Sequence, residues 1–148
     1  MRFSFDTNVL VYATDRSAGQ RQAAAVDLLQ RAASSDCALT EQSLVEYLNI
    51  ATLKARQPLE AAARVVREWL QNFPLLVPTT SVVRDTLAML AQYRLSIWDA
   101  RLLAVCAVHD CRVLLSEDLQ DNAVYGGVRV LNPFNLSNTH KIAELLQP

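Results

Sequence analysis

Hydrophobic and polar positions alternate along the chain in blocks that predict short strands set between amphipathic helices. Arg2-Phe3-Ser4-Phe5 is a short β-prone run that stops at Asp6, and Thr7 to Ala13 begins a short helix. From Gly19 to Ser34, Ala25, Leu28, Leu29 and Ala32 fall at helical spacing, while Gln20, Arg21, Asp27, Gln30 and Arg31 fill the other face. Cys37-Ala38-Leu39 reads as a second strand, after which Thr40 supplies an N-cap and Glu41 a first-turn acid for a helix to about Arg56. Pro58 opens the next helix, whose stripe is Leu59, Ala62, Ala63, Val66, Trp69, Leu70 and Phe73. Leu75-Leu76-Val77, between prolines, predicts a third short strand, followed by a helix from about Thr80 to Tyr93 with Val83, Leu87 and Leu90 inward. Another helix starts near Ser96; its body, Leu102 to Val108, is apolar on every side and is expected inside the core. Arg112 to Leu115 and Val128 to Leu131 read as the last strands, separated by a polar loop from Ser116 to Gly127.

Strands alternating with helices predict an α/β domain, a mostly parallel sheet covered on both faces. The length of 148 residues accommodates one domain. Hydrophobic residues make up 51% and charged residues 20%, a globular composition. Gly19, Gly126 and Gly127 are the only glycines and cannot build a Gly-rich phosphate cradle. Cys37, Cys106 and Cys111 are odd in number and form no C-x-x-C pair, so neither a disulfide framework nor a zinc knuckle is expected. With no signal-peptide pattern at the N-terminus, and no apolar run near the roughly 18 residues of a membrane span, a soluble cytoplasmic protein is expected. Fourteen Lys and Arg against fifteen Asp and Glu leave a net charge of −1. That balance does not advertise a nucleic-acid binder, but net charge averages over a surface while a site is local.

Open α/β sheets bind ligands beyond the carboxyl ends of their strands. Asp6 closes the first strand, Asp118 follows Arg112 to Leu115, and Glu46 and Asp99 lie early in helices that could point to the same edge. Converging carboxylates repel one another and stay ionised together only if cations neutralise them. Magnesium or manganese, which prefer oxygen ligands, is the expected answer. Each acid also has a structural reading: Asp6 as an N-cap, Asp99 in a capping box with Ser96, Asp118 and Asp121 as loop acids in Asx-turns, Glu46 as a solvated helix residue.

Taken together, Asp6-Thr7-Asn8-Val9-Leu10-Val11-Tyr12-Ala13, Glu46 in Gln42-Ser43-Leu44-Val45-Glu46-Tyr47, Asp99 in Ser96-Ile97-Trp98-Asp99-Ala100 and Asp118 in Leu115-Ser116-Glu117-Asp118-Leu119 resemble, in order, the four acidic motifs of the PIN domain family, and more closely of VapC-type toxin ribonucleases. The resemblance extends through Val130-Leu131-Asn132-Pro133. It implies a three-layer α/β/α domain with a central, mostly parallel sheet, spanning residues 1–148, and a Mg²⁺-dependent (or Mn²⁺-dependent) endoribonuclease with Asp6, Glu46, Asp99 and Asp118 as catalytic metal ligands. Two divalent ions about 3.5–4 Å apart would position and acidify a water and stabilise an in-line displacement. Thr7, Asn8 and Ser116 become candidates for holding the carboxylates, with Asp121 a weaker one. The implied partners are an RNA substrate, a small antitoxin and a second copy in a homodimer, with no membrane.

The remaining residues carry less. His109, beside Asp110, reads as a C-terminal cap ahead of a base, which makes a Ser-His-Asp hydrolase unattractive. Among Lys54, Arg56, Arg94 and Arg101, Arg101 is best placed to contact RNA, two residues after Asp99. Tyr47 and Trp98 read first as core or dimer-interface aromatics and second as stacking platforms. The rival functions are a PIN nuclease in RNA processing outside toxin systems and a catalytically inactive RNA- or partner-binding PIN domain. A receiver domain fails, because no acid follows Leu75-Leu76-Val77-Pro78.

Overall fold

A computed structural model describes residues 1–147. The chain runs β1 (Phe3–Phe5), α1 (Thr7–Thr14), α2 (Gln20–Ala32), β2 (Leu39–Thr40), α3 (Glu41–Asn49), a π-helical turn (Ile50–Lys54), α4 (Leu59–Asn72), β3 (Leu75–Leu76), α5 (Val82–Gln92), α6 (Ile97–Val108), β4 (Val113–Leu115), β5 (Val124–Tyr125), β6 (Val128–Leu131), a 3₁₀ turn (Leu136–Asn138) and α7 (Thr139–Leu145). Four strands pair in the order β1-β4-β6-β5, parallel except for β5. β2 and β3 form a separate parallel pair, joined to β1 by a bridge between Phe3 and Cys37. β1 therefore lies between β4 and the β2–β3 ladder.

The period-two alternation of strand residues divides the core into two halves, as it must when both faces are covered. Phe3, Phe5, Val113, Leu115 and Leu131 pack with residues of α1, α2, α3, α4 and α7. Leu114, Val128 and Val130 pack with α6 and with Met89 of α5. Three layers result, the α/β/α arrangement expected, with a mostly parallel central sheet. Leu102 to Cys106 are buried as the all-round apolar pattern of α6 requires, although Val108 emerges at its end. No described helix is long and apolar enough to cross a membrane.

Several sequence expectations shift. On α5, Val83 and Leu87 are 70% and 61% exposed, and Thr86 and Met89 are buried in their place. The helix carries two competing apolar stripes, and Thr86 can face inward because its Oγ1 donates back to the Val82 carbonyl at 2.7 Å. Leu59 and Leu70 likewise leave the stripe of α4, which narrows to Ala62, Val66, Trp69 and Phe73. The helix expected to reach Arg56 changes at Ile50 into a π-helical turn. The loop from Ser116 to Gly127 contains β5, whose hairpin to β6 turns on Gly126 and Gly127 at φ +56° and +84°, values that favour glycine at both positions. A Cβ on Gly126 would also run into Met89 Cε. Helix α7 lies beyond the last element expected from the pattern.

Candidate active site

Parallel register assembles the centre. Phe5 of β1 stands opposite Leu115 of β4, so the residues that follow, Asp6 and Ser116, emerge side by side at the carboxyl edge. Asp6 N–H donates to the Leu115 carbonyl at 2.9 Å, and Ser116 Oγ donates to Asp6 Oδ2 at 2.6 Å. Asp6 is also the N-cap of α1, with Oδ1 accepting from Thr7 N–H at 2.7 Å. Ser116 Oγ accepts in turn from the Asp118 N–H at 3.2 Å, which turns that loop back over the edge.

Thr7, Asn8 and Ser116 all brace the acids. Thr7 Oγ1 donates to Glu46 Oε2 at 2.7 Å, linking α1 to α3. Asn8 Nδ2 donates to Asp118 Oδ2 at 2.9 Å and faces Asp6 Oδ2 and Ser116 Oγ at 3.3 and 3.4 Å. Three oxygens around that nitrogen fix the amide orientation, which leaves Asn8 Oδ1 buried without a hydrogen-bond partner. Asp99 sits in the first turn of α6, where the cap Ser96 accepts from its N–H at 3.0 Å and donates to its Oδ2 at 2.7 Å.

All four expected acids, Asp6, Glu46, Asp99 and Asp118, line one cavity of about 360 Å³, and no Lys, Arg or His lines it with them. Burial pushes the Asp6 carboxyl up to about 6; the Ser116 and Thr7 hydrogen bonds oppose this, and the charges of Asp118 and Asp99 add to it. Among the described residues no three His, Cys, Asp or Glu side chains stand close enough to form a ready-made metal cage. A cation that keeps much of its water needs only one or two carboxylates and no such cage. The donor set is all oxygen, uncompensated by any protein cation, and includes the orphaned Asn8 carbonyl. The residues fit a hydrated hard cation.

Gln42 was missed by sequence reasoning. Its buried side chain donates from Nε2 to Glu46 Oε1 at 2.9 Å and to the Trp98 carbonyl at 3.0 Å, joining α3 to the turn that carries Asp99. Arg101 Nη1 donates to Gln42 Oε1 at 2.7 Å, while Nη2 pairs with Glu41 at 3.2 Å. Arg101 thus stands behind the acids with both terminal nitrogens engaged, one at Gln42 and one at Glu41. The only signal for Gln42 was its place one helical turn before Glu46.

Other expectations separate. Asp121 stands apart from the acidic cavity. Its carboxylate accepts from the Asn132 N–H and from the Asn135 and Asn138 amides, tying down the chain after β6. Tyr47 is fully buried, edge-on to Trp69, whereas Trp98 is 63% exposed. His109 caps α6, and its Nε2 lies 2.7 Å from the Val77 carbonyl. Beside Asp118, Glu117 is gripped by Arg21 and by Tyr12 Oη, and Arg21 packs over the Tyr12 and Phe134 rings. The Arg21 guanidinium holds the Glu117 carboxyl below the usual range.

A family model described as the PIN domain matches residues 4–125. No curated protein matches the chain by sequence. Among solved structures, the chain is similar to a protein of a toxin–antitoxin complex from Klebsiella pneumoniae, at 25% identity and a TM-score of 0.64 over 90% of this chain and 99% of that one. It is also similar to Mycobacterium tuberculosis VapC20, described as a sarcin-ricin loop cleaving toxin, at 15% identity and a TM-score of 0.63 over 78% and 89%. A third likeness is to FitAcB from Neisseria gonorrhoeae, at 15% identity and a TM-score of 0.63 over 92% and 100%. The last two, at their level of identity, speak for the fold.

Proposed function

The chain belongs to the PIN domain family, and from that premise we infer that it is a Mg²⁺- or Mn²⁺-dependent endoribonuclease, the toxin of a toxin–antitoxin pair. The observation that carries this reading is the single cavity at the carboxyl edge into which four carboxylates project with no protein cation among them. Asp6 is the central ligand, since it ends the innermost strand and its carboxylate is fixed from both sides. Glu46, Asp99 and Asp118 complete the set, directly or through water, with Asn8 Oδ1 available to the same cation or to its water. When bound, the metal lowers the pKa of a water and neutralises charge developing on the phosphodiester. The protein's part is to hold its acids ionised and oriented and to receive the RNA phosphate at the open mouth of the cavity.

The toxin assignment draws on the likeness to a protein of the Klebsiella pneumoniae toxin–antitoxin complex. It carries with it a small antitoxin partner and a homodimer, for which the exposed Val83–Leu87 face of α5 is an available apolar surface. Three free, buried cysteines agree with a cytoplasmic setting.

The test is cleavage of structured RNA with and without Mg²⁺ by the wild type, Asp6→Asn and Asp99→Asn. Cleavage is expected to need the metal and to fall by about 100-fold or more in each variant, beyond the usual effect of residues that only support ligands. Unchanged cleavage in either variant refutes the mechanism.

A further inference from the structure

Beside the acidic cavity runs a larger groove of about 790 Å³. The two share Gln42, Glu46, Ile50 and Trp98 in their walls, so a strand that lays one phosphate over the acids carries its next nucleotide into the groove. Trp98 dominates it. The peptide of Trp98 is fixed by Gln42 Nε2, yet its side chain is 63% exposed, whereas the protein's other tryptophan, Trp69, is buried. The indole and the neighbouring Val45 supply exposed apolar surface in the groove, and Gln42, Asn49, Lys54 and Arg101 line it beside Glu41 and Glu46.

The charges of the groove are unequal in their availability. Arg101 is committed to Glu41 and Gln42. Lys54, at the end of the π-helical turn, makes no ion pair among the described residues. An exposed aromatic face sharing a groove with an unpaired cation is the combination by which proteins hold unpaired nucleic acid, stacking the base and meeting the phosphate. We propose that this groove is a nucleobase subsite, in which an unpaired base of the RNA next to the scissile phosphate stacks on Trp98 while its phosphate lies against Lys54. The proposal rests on the nuclease reading and adds the substrate feature that the reading lacks: an unstacked base beside the cut.

The test measures anisotropy of a fluorescein-labelled, short unpaired oligoribonucleotide with Mg²⁺, in an Asp99→Asn background that does not cleave. Replacing Trp98 by Ala is expected to weaken binding about tenfold and replacing it by Phe by no more than about threefold, in line with the usual worth of one stacked base. On the same oligonucleotide with abasic sites, the Trp98 and Ala proteins should bind alike, a result that a merely structural role for Trp98 would not give. Equal binding of intact RNA by both, or a loss that persists on abasic RNA, overturns the subsite. So does a Trp98→Ala protein whose mass by light scattering halves while RNA binding is unchanged, which assigns the face to a second copy. If the Asp99-intact protein cuts RNA and Trp98→Ala cuts it with the same KM, only the subsite falls; if the wild type neither binds nor cuts RNA, the nuclease reading falls with it.

Discussion

Gln42→Met removes the polar end of a buried side chain while keeping its length. The substitution deletes a donor to the Glu46 carboxylate at 2.9 Å, a donor to the Trp98 carbonyl at 3.0 Å and an acceptor for Arg101 at 2.7 Å. Hydrogen bonds to charged groups contribute about 1.5–3 kcal/mol and neutral ones about 0.5–1.5 kcal/mol. The simple total overstates the loss, because Glu46 is only half-buried and Arg101 keeps Glu41, so both can recover water or a partner. A net cost of about 2–3 kcal/mol remains, which lowers Tm by roughly 5–10 °C for a domain of this size. The functional consequence is separate: Glu46 and the turn carrying Asp99 lose their shared tether, so metal affinity or kcat should fall about 10- to 100-fold, the range for groups that orient metal ligands. The assay is RNA cleavage across a Mg²⁺ titration, run well below the variant's Tm so that unfolding does not contribute. A lowered Tm with unchanged kcat and unchanged metal dependence would show that Gln42 only packs the interior, and would refute its positioning role.

Asp6→Asn should stabilise the metal-free protein while abolishing cleavage, because it removes a buried charge that faces Asp118 and Asp99. The displacement of its carboxyl from 3.8 to about 6 corresponds to at most about 3 kcal/mol. A raised carboxyl binds its proton more tightly in the folded state, so the penalty is full above about pH 6 and gone below about pH 4; the Tm gain of the variant in chelator should follow that course. A variant less stable than wild type at pH 7 in chelator would contradict it. Asp121 has the opposite sign: partial burial works to raise its carboxyl, but hydrogen bonds from Asn132, Asn138 and Asn135 outweigh this and hold it below the usual range. Its contribution is present above about pH 4 and lost as pH falls through the folded value, so denaturation curves of wild type and Asp121→Ala should converge in acid. Asp121→Ala should cut RNA at the wild-type rate at a temperature where it is folded, since the residue stands apart from the cavity.

What the pattern showed best was whatever depends on strong local signals. Asp6 after a β-prone run and the caps Thr40 and Ser96 mark strand ends and helix starts, and all three cap their helices. The uniformly apolar centre of α6 admits only burial, and Leu102 to Cys106 are buried. Expectations failed where two arrangements had similar local merit. On α5, Val82–Thr86–Met89 and Val83–Leu87–Leu90 are both helical stripes, and the sheet, absent from local sequence, takes the first together with Leu90 and leaves Val83 and Leu87 outside. The strand Val124–Tyr125 has two residues, too few for a period to show. Arg101 and Gln42 escaped for a related reason. Side chains that meet 59 positions apart in the chain have no spacing that announces them, and a solvent-facing Arg reads the same as one that braces a buried amide.

The acids themselves settle differently, because the structural and chemical readings of Asp6 and Asp99 were never exclusive. A carboxylate at a helix N-terminus is held by the first-turn N–H groups and favoured by the helix dipole. Asp6 takes such a bond from Thr7 N–H, and Asp99 is fixed through the cap Ser96. Both helices start at the carboxyl edge of the sheet, so capping aims the acids at the place where an α/β sheet receives ligands. Local stability and site geometry are then one set of bonds, which explains why the four carboxylates can share a cavity without a protein cation: each is restrained by neutral donors, Ser116, Thr7, Asn8, Gln42 or Ser96, that orient charge without cancelling it. A Lys or Arg in those positions would stabilise the empty protein more and compete with the metal. The near-neutral net charge of the chain follows the same logic. Four of its fifteen acids gather at one cavity, the remainder of the chain is net positive, and RNA affinity should rise with metal occupancy at fixed ionic strength and fall when the metal is chelated. RNA bound equally well in a chelator would break the link between the acids and the substrate.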